Sequence, residues 1–120
     1  MATVLIDGQT LTIESAYSAS IGQSKLVLCD QAIDRMSQSR QVVDEIVNSN
    51  QVVYGINTGF GAMSSVKIDE TELAKLQTNL VRSHACGVGE RMDPEDVLLM
   101  MVYRANSLAK GVSGIRPEVV

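Results

Sequence analysis

The segment that most restricts how this chain can fold runs from Asp93 to Val102. Asp93 is placed to cap a helix, Pro94 suits its first position, and Glu95 and Asp96 fall in the first turn. Unpaired N–H groups there favour negative charge. The helix then reads Val97-Leu98-Leu99-Met100-Met101-Val102, apolar on every side. Such a helix, spanning roughly residues 94–110, is expected to be buried all round. A chain of 120 residues has little material with which to enclose a helix completely. The run therefore implies either a subunit interface or membership of a larger protein.

Composition narrows the function classes. Hydrophobic residues make up 45% and charged residues 20%, as in an ordinary globular chain. Aromatics reach only 3%, so a core must be aliphatic and methionine-rich. The net charge of −4 argues against nucleic acid and against a basic membrane-surface helix. One histidine cannot build a histidine metal site, and no metal is expected. Cys29 and Cys86 form no C-x-x-C pair and read as two free thiols in a reducing cytosol, with one long-range disulfide as the alternative. Met1 to Asp7 lacks a basic, then apolar, leader pattern, and no run of about 18 apolar residues occurs. These features point to a cytoplasmic protein with no membrane span.

Along the chain, Thr3–Ile6 and Thr10–Ile13 are short β-branched and leucine-rich runs on either side of Asp7-Gly8-Gln9. Asp-Gly between such runs predicts a β-hairpin over residues 3–13. Leu26, Cys29, Ile33, Met36, Val43 and Val47 recur at helical spacing, which predicts a helix over roughly 24–47. Asp69 with Glu72 resembles a capping box. Leu73, Leu76 and Leu80 then continue an apolar face, for a helix over roughly 70–86 that Gly87 and Gly89 close. The fold class is mainly α: an N-terminal hairpin and about three long helices, as part of a larger helical bundle.

Two segments can carry chemistry. The first, residues 52–63, contains Tyr54-Gly55-Ile56-Asn57-Thr58-Gly59-Phe60-Gly61. Its glycines indicate unusual backbone angles or a close approach to something. A phosphate-binding reading is weak, because neither G-x-G-x-x-G after a strand nor Gly-Lys-Ser/Thr is present. On composition alone, an ordered surface loop with a half-buried Tyr54 outweighs a catalytic tyrosine. The second segment ends the 70–86 helix with Ser83-His84-Ala85-Cys86-Gly87. His84 lies four residues after Leu80 and extends the apolar face, where a core histidine is the commoner outcome and a pocket residue the other.

Taken together, Tyr54-Gly-Ile-Asn-Thr-Gly-Phe-Gly61, Leu76-Gln-Thr-Asn-Leu-Val81, Ser83-His-Ala-Cys-Gly-Val-Gly89 and Arg104-Ala-Asn-Ser-Leu-Ala-Lys-Gly-Val-Ser-Gly114 follow an informative order. In motifs and register the chain resembles the aromatic amino acid lyases: the histidine, phenylalanine and tyrosine ammonia-lyases and related aminomutases. The resemblance covers nearly all of residues 1–120, as an N-terminal segment. It implies that Tyr54 is the catalytic base that removes the substrate's β-proton. A phenol's ordinary pKa is about 10, so the role needs surroundings that favour the phenolate. Gly55, Asn57, Gly59, Phe60 and Gly61 would form a lid. Ser83 and His84 would bind and select the substrate. Histidine-selective members tend to carry Ser-His there, and a small hydroxyl beside a hydrogen-bonding ring suits an imidazole better than a benzene ring.

The same resemblance implies a cofactor, 4-methylidene-imidazol-5-one (MIO), formed from an internal Ala-Ser-Gly. No Ala-Ser-Gly occurs in these 120 residues. Ala85-Cys86-Gly87 and Val112-Ser113-Gly114 belong to other motifs. In the family the triad lies further along the chain, and sites are shared among the subunits of a homo-tetramer. The expected activity is elimination of ammonia from L-histidine to give trans-urocanate, with this chain inactive alone and partnered by the remainder of the lyase. The alternatives are a tyrosine or phenylalanine ammonia-lyase or aminomutase segment, and a non-catalytic helical interaction module.

Overall fold

A computed structural model of the protein describes residues 1–49, 51–59, 61 and 65–120, the side chain of Glu70 excepted. These residues form a strand β1 (Ala2–Ile6), helix α1 (Ile13–Ser20), strand β2 (Ser24–Leu28), helix α2 (Asp30–Val47), helix α3 (Glu70–His84), helix α4 (Pro94–Leu108) and a closing 3-10 turn, Pro117–Val119. The chain is mainly α, as the helical periodicities indicate. It divides into two compact units, Met1–Val42 with Arg91–Val120, and Val43–Glu90.

In the first unit the expected hairpin is replaced by a β-α-β arrangement. β1 pairs with β2 in parallel, Ala2 opposite Ser24 and Ile6 opposite Leu28. Parallel neighbours need a crossover, and α1 supplies it. The reason lies in the Asp7-Gly8 turn. A type I′ hairpin needs positive φ at both central residues, yet of Asp7 and Gly8 only Gly8 has it, at +79°. The Asp7 carboxylate instead accepts from the N–H groups of Gln9 and Thr10, both at 2.8 Å, and from the Thr10 hydroxyl at 2.7 Å. Thr12 then caps α1: its hydroxyl accepts from Ser15 N–H at 3.2 Å, while Ser15 Oγ accepts from Thr12 N–H at 3.0 Å. These local bonds start a helix where the β-branched pattern suggests a second strand.

The expected 24–47 helix is likewise shorter at its start. Ser24–Leu28 is β2, and the helix begins at Asp30, with the Cys29 carbonyl accepting from Ala32 and Ile33 N–H. A short apolar run such as Leu26-Val27-Leu28 can serve either period, and pairing with β1 decides it. Ile6, Ala16, Ala32, Val102 and Ala109 form the buried core of this unit, with Leu11, Leu28, Cys29 and Leu99 packed against it. Met36 is also buried. The Arg35 Nη2 group donates to the carbonyls of Asp7 (2.6 Å) and Ala109 (3.2 Å), and Gly8 N–H donates to Asn106 Oδ1 (2.9 Å). So β1, α2 and the end of α4 are tied at one corner.

α4 is not buried all round. Val102 is enclosed, but Leu98, Met100 and Met101 are 46%, 59% and 62% exposed. These 120 residues cover one stripe of the helix and leave the opposite apolar face open.

The second unit holds the end of α2, the glycine-rich loop and α3. α3 starts at Asp69, whose carboxylate accepts from Thr71 N–H (3.0 Å) and the Thr71 hydroxyl (2.7 Å). Glu72 does not complete a reciprocal box; it pairs with Lys75 at 3.3 Å. The helix ends at His84 with Ala85 as its C-cap, before Gly87 and Gly89. Among the described residues no helix is long and apolar enough to cross a membrane.

Candidate functional site

Both segments expected to carry chemistry lie in the second unit, and each is shaped by local hydrogen bonds. Val53 to Ile56 make a tight turn, with Ile56 N–H donating to the Val53 carbonyl at 3.1 Å. Gly55 sits at its third position with φ +80°, the angle a type II turn demands there. Tyr54 occupies the second position, and its side chain is 64% exposed. It is thus further out than the half-buried aromatic that composition suggests.

Behind the turn, Asn57 is only 1% exposed. Its Oδ1 accepts from Val53 N–H at 2.9 Å, and its Nδ2 donates to the Gln51 carbonyl at 2.8 Å. Its own carbonyl accepts from Ile68 N–H at 2.9 Å. Thr58 is buried too; its hydroxyl donates to the Gly59 carbonyl at 2.9 Å, and its backbone bridges to Lys67. Gly59 N–H donates to the Val66 carbonyl at 3.2 Å. The described part of the loop is therefore fastened along residues 57–59, and Tyr54 projects from the fastened base. Gly61 is exposed with φ +58°. Phe60 and residues 62 and 63 of the loop lie outside the described residues.

At the far end of α3, Ser83 and His84 are brought into direct contact. The Ser83 hydroxyl donates to the Leu80 carbonyl at 2.9 Å and lies 3.0 Å from His84 Nδ1. That same Nδ1 is 2.9 Å from the Leu80 carbonyl. A carbonyl only accepts, so in the neutral ring the proton is assigned to Nδ1. Nε2 is then the open acceptor. His84 is exposed, which replaces the core reading: the ring turns back along its own helix instead of entering a core. No hydrogen bond among the described residues joins Tyr54 to Ser83 or His84.

Sequence reasoning missed the residues behind the loop. An open cavity of about 510 Å³ is lined by Val47, Ser49, Asn57, Lys67, Asp69 and Leu73 among others, but not by Tyr54, Ser83 or His84. Lys67 Nζ donates to the Ser49 carbonyl at 3.4 Å. Thr71, and less strongly Lys67, hold the Asp69 carboxyl below its ordinary pKa. Nothing in the spacing of Lys67 marks it, because its bridge to Thr58 depends on the fold of the loop. Cys29 and Cys86 are free thiols, half-buried and exposed respectively. No cluster of three metal-ligating side chains occurs among the described residues.

With this geometry established, likeness to known proteins defines the class. The aromatic amino acid lyase family model matches residues 11–120, and the chain belongs to that family. It is 49% identical to a histidine ammonia-lyase of Staphylococcus aureus over 98% of its own length and 23% of that protein. The crystal structure of histidine ammonia-lyase from Trypanosoma cruzi superposes with a TM-score of 0.88 at 43% identity, over 97% of this chain and 23% of that one. Tyrosine aminomutase from Streptomyces globisporus superposes with a TM-score of 0.89 at 34% identity, over 98% and 22%. The chain thus spans about a quarter of the length of the relatives it matches.

Proposed function

We propose that these residues form part of an ammonia-lyase that converts L-histidine to trans-urocanate and ammonia, working in the cytoplasm as a homo-tetramer. In this reading Tyr54 takes the substrate's β-proton. His84 Nε2 accepts a hydrogen bond from the substrate imidazole N–H. Ser83 and the Leu80 carbonyl keep the ring in the tautomer that leaves Nε2 free. The observation that carries the substrate assignment is this Ser83–His84–Leu80 arrangement, at 2.9–3.0 Å. It offers an acceptor that a benzene ring cannot use. The 49% identity to a histidine ammonia-lyase supports it.

MIO would supply the electrophile that turns the amine into a leaving group. These 120 residues hold no Ala-Ser-Gly from which to form it, so the chain by itself is proposed to be inactive. The open apolar face of α4 is proposed to be covered by the remainder of the lyase chain or a neighbouring subunit. A tyrosine-type aminomutase is the second reading, favoured by the superposition on that enzyme.

The decisive experiment uses a complete lyase that carries these residues. The absorbance of the α,β-unsaturated acid product (urocanate, cinnamate or coumarate) is followed with L-histidine, L-phenylalanine and L-tyrosine, before and after Ser83→Phe with His84→Leu. We expect histidine turnover to fall by about a hundredfold or more relative to phenylalanine, since a lost polar contact discriminates strongly. Unchanged preference for histidine in the double variant removes the selector role. Urocanate production by the 120-residue chain alone would overturn its proposed inactivity.

A further inference from the structure

We infer that Asn57 is a positioning residue for Tyr54: its side-chain amide closes the neck of the turn that carries the proposed base. The inference rests on the lyase reading above. Among the described residues Tyr54 makes no hydrogen bond of its own, so its place is set there by the backbone on either side. On one side that backbone is Val53, and both of its polar groups are engaged. The Val53 carbonyl accepts from Ile56 N–H at 3.1 Å and from Asn57 N–H at 3.3 Å. Its N–H donates to Asn57 Oδ1 at 2.9 Å. Nδ2 of the same amide reaches back to the Gln51 carbonyl at 2.8 Å. One side chain thus pairs with a donor and an acceptor two residues apart, which only an amide can do at this length.

Asn57 is anchored in turn. It is 1% exposed, and its carbonyl accepts from Ile68 N–H, next to the Thr58–Lys67 bridge. The clamp is therefore fixed to residues 66–68, while Tyr54 stands free in solvent at the crest of a preformed turn. Proton abstraction requires the base within hydrogen-bond reach of the β-carbon, and a displacement of about 1 Å can cost about a hundredfold in rate. A turn that is closed before substrate arrives avoids part of that loss.

The test again uses a complete lyase carrying these residues, with L-histidine as substrate. Asn57→Ala is expected to lower kcat by about 10–100-fold while KM stays within about threefold, because the amide touches the base's support and not the substrate. Asn57→Asp retains an acceptor for Val53 N–H and loses the donor to Gln51, so it should recover part of kcat. In a double-mutant cycle, Tyr54→Phe with Asn57→Ala should be no slower than Tyr54→Phe alone. An equal loss from Asn57→Ala in both backgrounds, or an unchanged kcat, overturns the inference. Failure of the unmutated enzyme to release ammonia from L-histidine would refute the lyase reading instead. Amide hydrogen exchange over residues 51–58 then decides the clamp without turnover. Slow exchange that Asn57→Ala speeds at least tenfold upholds it, and exchange indifferent to the substitution overturns it.

Discussion

The two units are built on opposite principles. In the first, the enclosed residues are almost all apolar: Ile6, Ala16, Ala32, Met36, Val102 and Ala109. In the second, the enclosed side chains among the described residues are Asn57 and Thr58, while Leu73, Leu76 and Leu80 of α3 stay half-exposed. Burial of apolar area is non-directional and tolerates exchange of similar shapes. Hydrogen bonds fix direction but leave costly orphans when broken. The first unit is organised to persist, and the second to hold a loop in one shape. Positioning chemistry demands the second kind of construction, and that is where the proposed base Tyr54 and the proposed selector pair Ser83 and His84 are found.

The largest effect that would break this contrast is expected in the first unit. A Cβ on Gly8 would lie 2.7 Å from Lys110 N and 3.0 Å from the Ala109 carbonyl carbon, at φ +79°. Left-handed strain of about 1–2 kcal/mol and overpacking of about 1–3 kcal/mol together predict a loss of roughly 2–5 kcal/mol for Gly8→Ala. Gly22 has a similar φ of +74° and open space around it, so Gly22→Ala should show the strain alone. Thermal unfolding of both variants separates the two contributions; equal losses would deny the close approach.

A smaller effect sharpens the contrast by making the same kind of change in both units. Met36→Leu conserves shape and character at a site 1% exposed and should cost less than about 1.5 kcal/mol. Asn57→Leu is also close in size, yet it strands the Val53 N–H and the Gln51 carbonyl. A buried orphan costs about 1–3 kcal/mol; Gln51 is exposed and its carbonyl regains water, so local stability around residues 51–58 should fall by roughly 1–3 kcal/mol. Hydrogen exchange resolves the two regions. If Asn57→Leu is as mild as Met36→Leu, the second unit is not organised by its polar groups.

How much of this was legible in the sequence depends on the range of the forces involved. α3 and α4 could be read almost to the residue, because capping acids, Pro94 and 3.6-residue periodicity act within a few positions. The Tyr54 loop and the Ser83-His84 pair could be located because their residue types are unusual in sequence. The β1–β2 pairing could not, since Asp7-Gly8 satisfies a hairpin pattern locally while the contacts that hold the turn are distant in sequence: Gly8 packs against Lys110, and Arg35 donates to the Ala109 carbonyl 74 residues away. In sequence Asn57 is one residue of a glycine-rich loop; its amide clamp appears only when Val53, Gln51 and Ile68 are brought round it. The core position that periodicity favours for His84 fails for a similar reason: its own Nδ1 bond to the Leu80 carbonyl turns the ring along the helix end, in the open.

The smallest predicted effect concerns acid. Asp7 in the first unit is held from 3.8 down to about 2 by the Thr10 N–H, the Thr10 hydroxyl and the Gln9 N–H. In the second unit Asp69 is lowered by the Thr71 hydroxyl and N–H. Both carboxylates are depressed in the folded state, so each contributes stability that is complete above the unfolded carboxyl pKa. For Asp7 that contribution is lost as pH falls from about 4 towards about 2, where the folded carboxylate takes up its proton. Asp7→Asn keeps an acceptor and removes the titration. The difference between wild-type and Asp7→Asn melting temperatures should therefore narrow over that interval, and Asp69→Asn provides the matching measurement on α3. Because Asp69 is exposed and Asp7 no more than part-buried, added salt should shrink the two differences. Parallel wild-type and Asp7→Asn curves from pH 4 to 2 would mean that the turn after β1 is held by its backbone alone, and the capping of α1 would have to account for the loss of the hairpin.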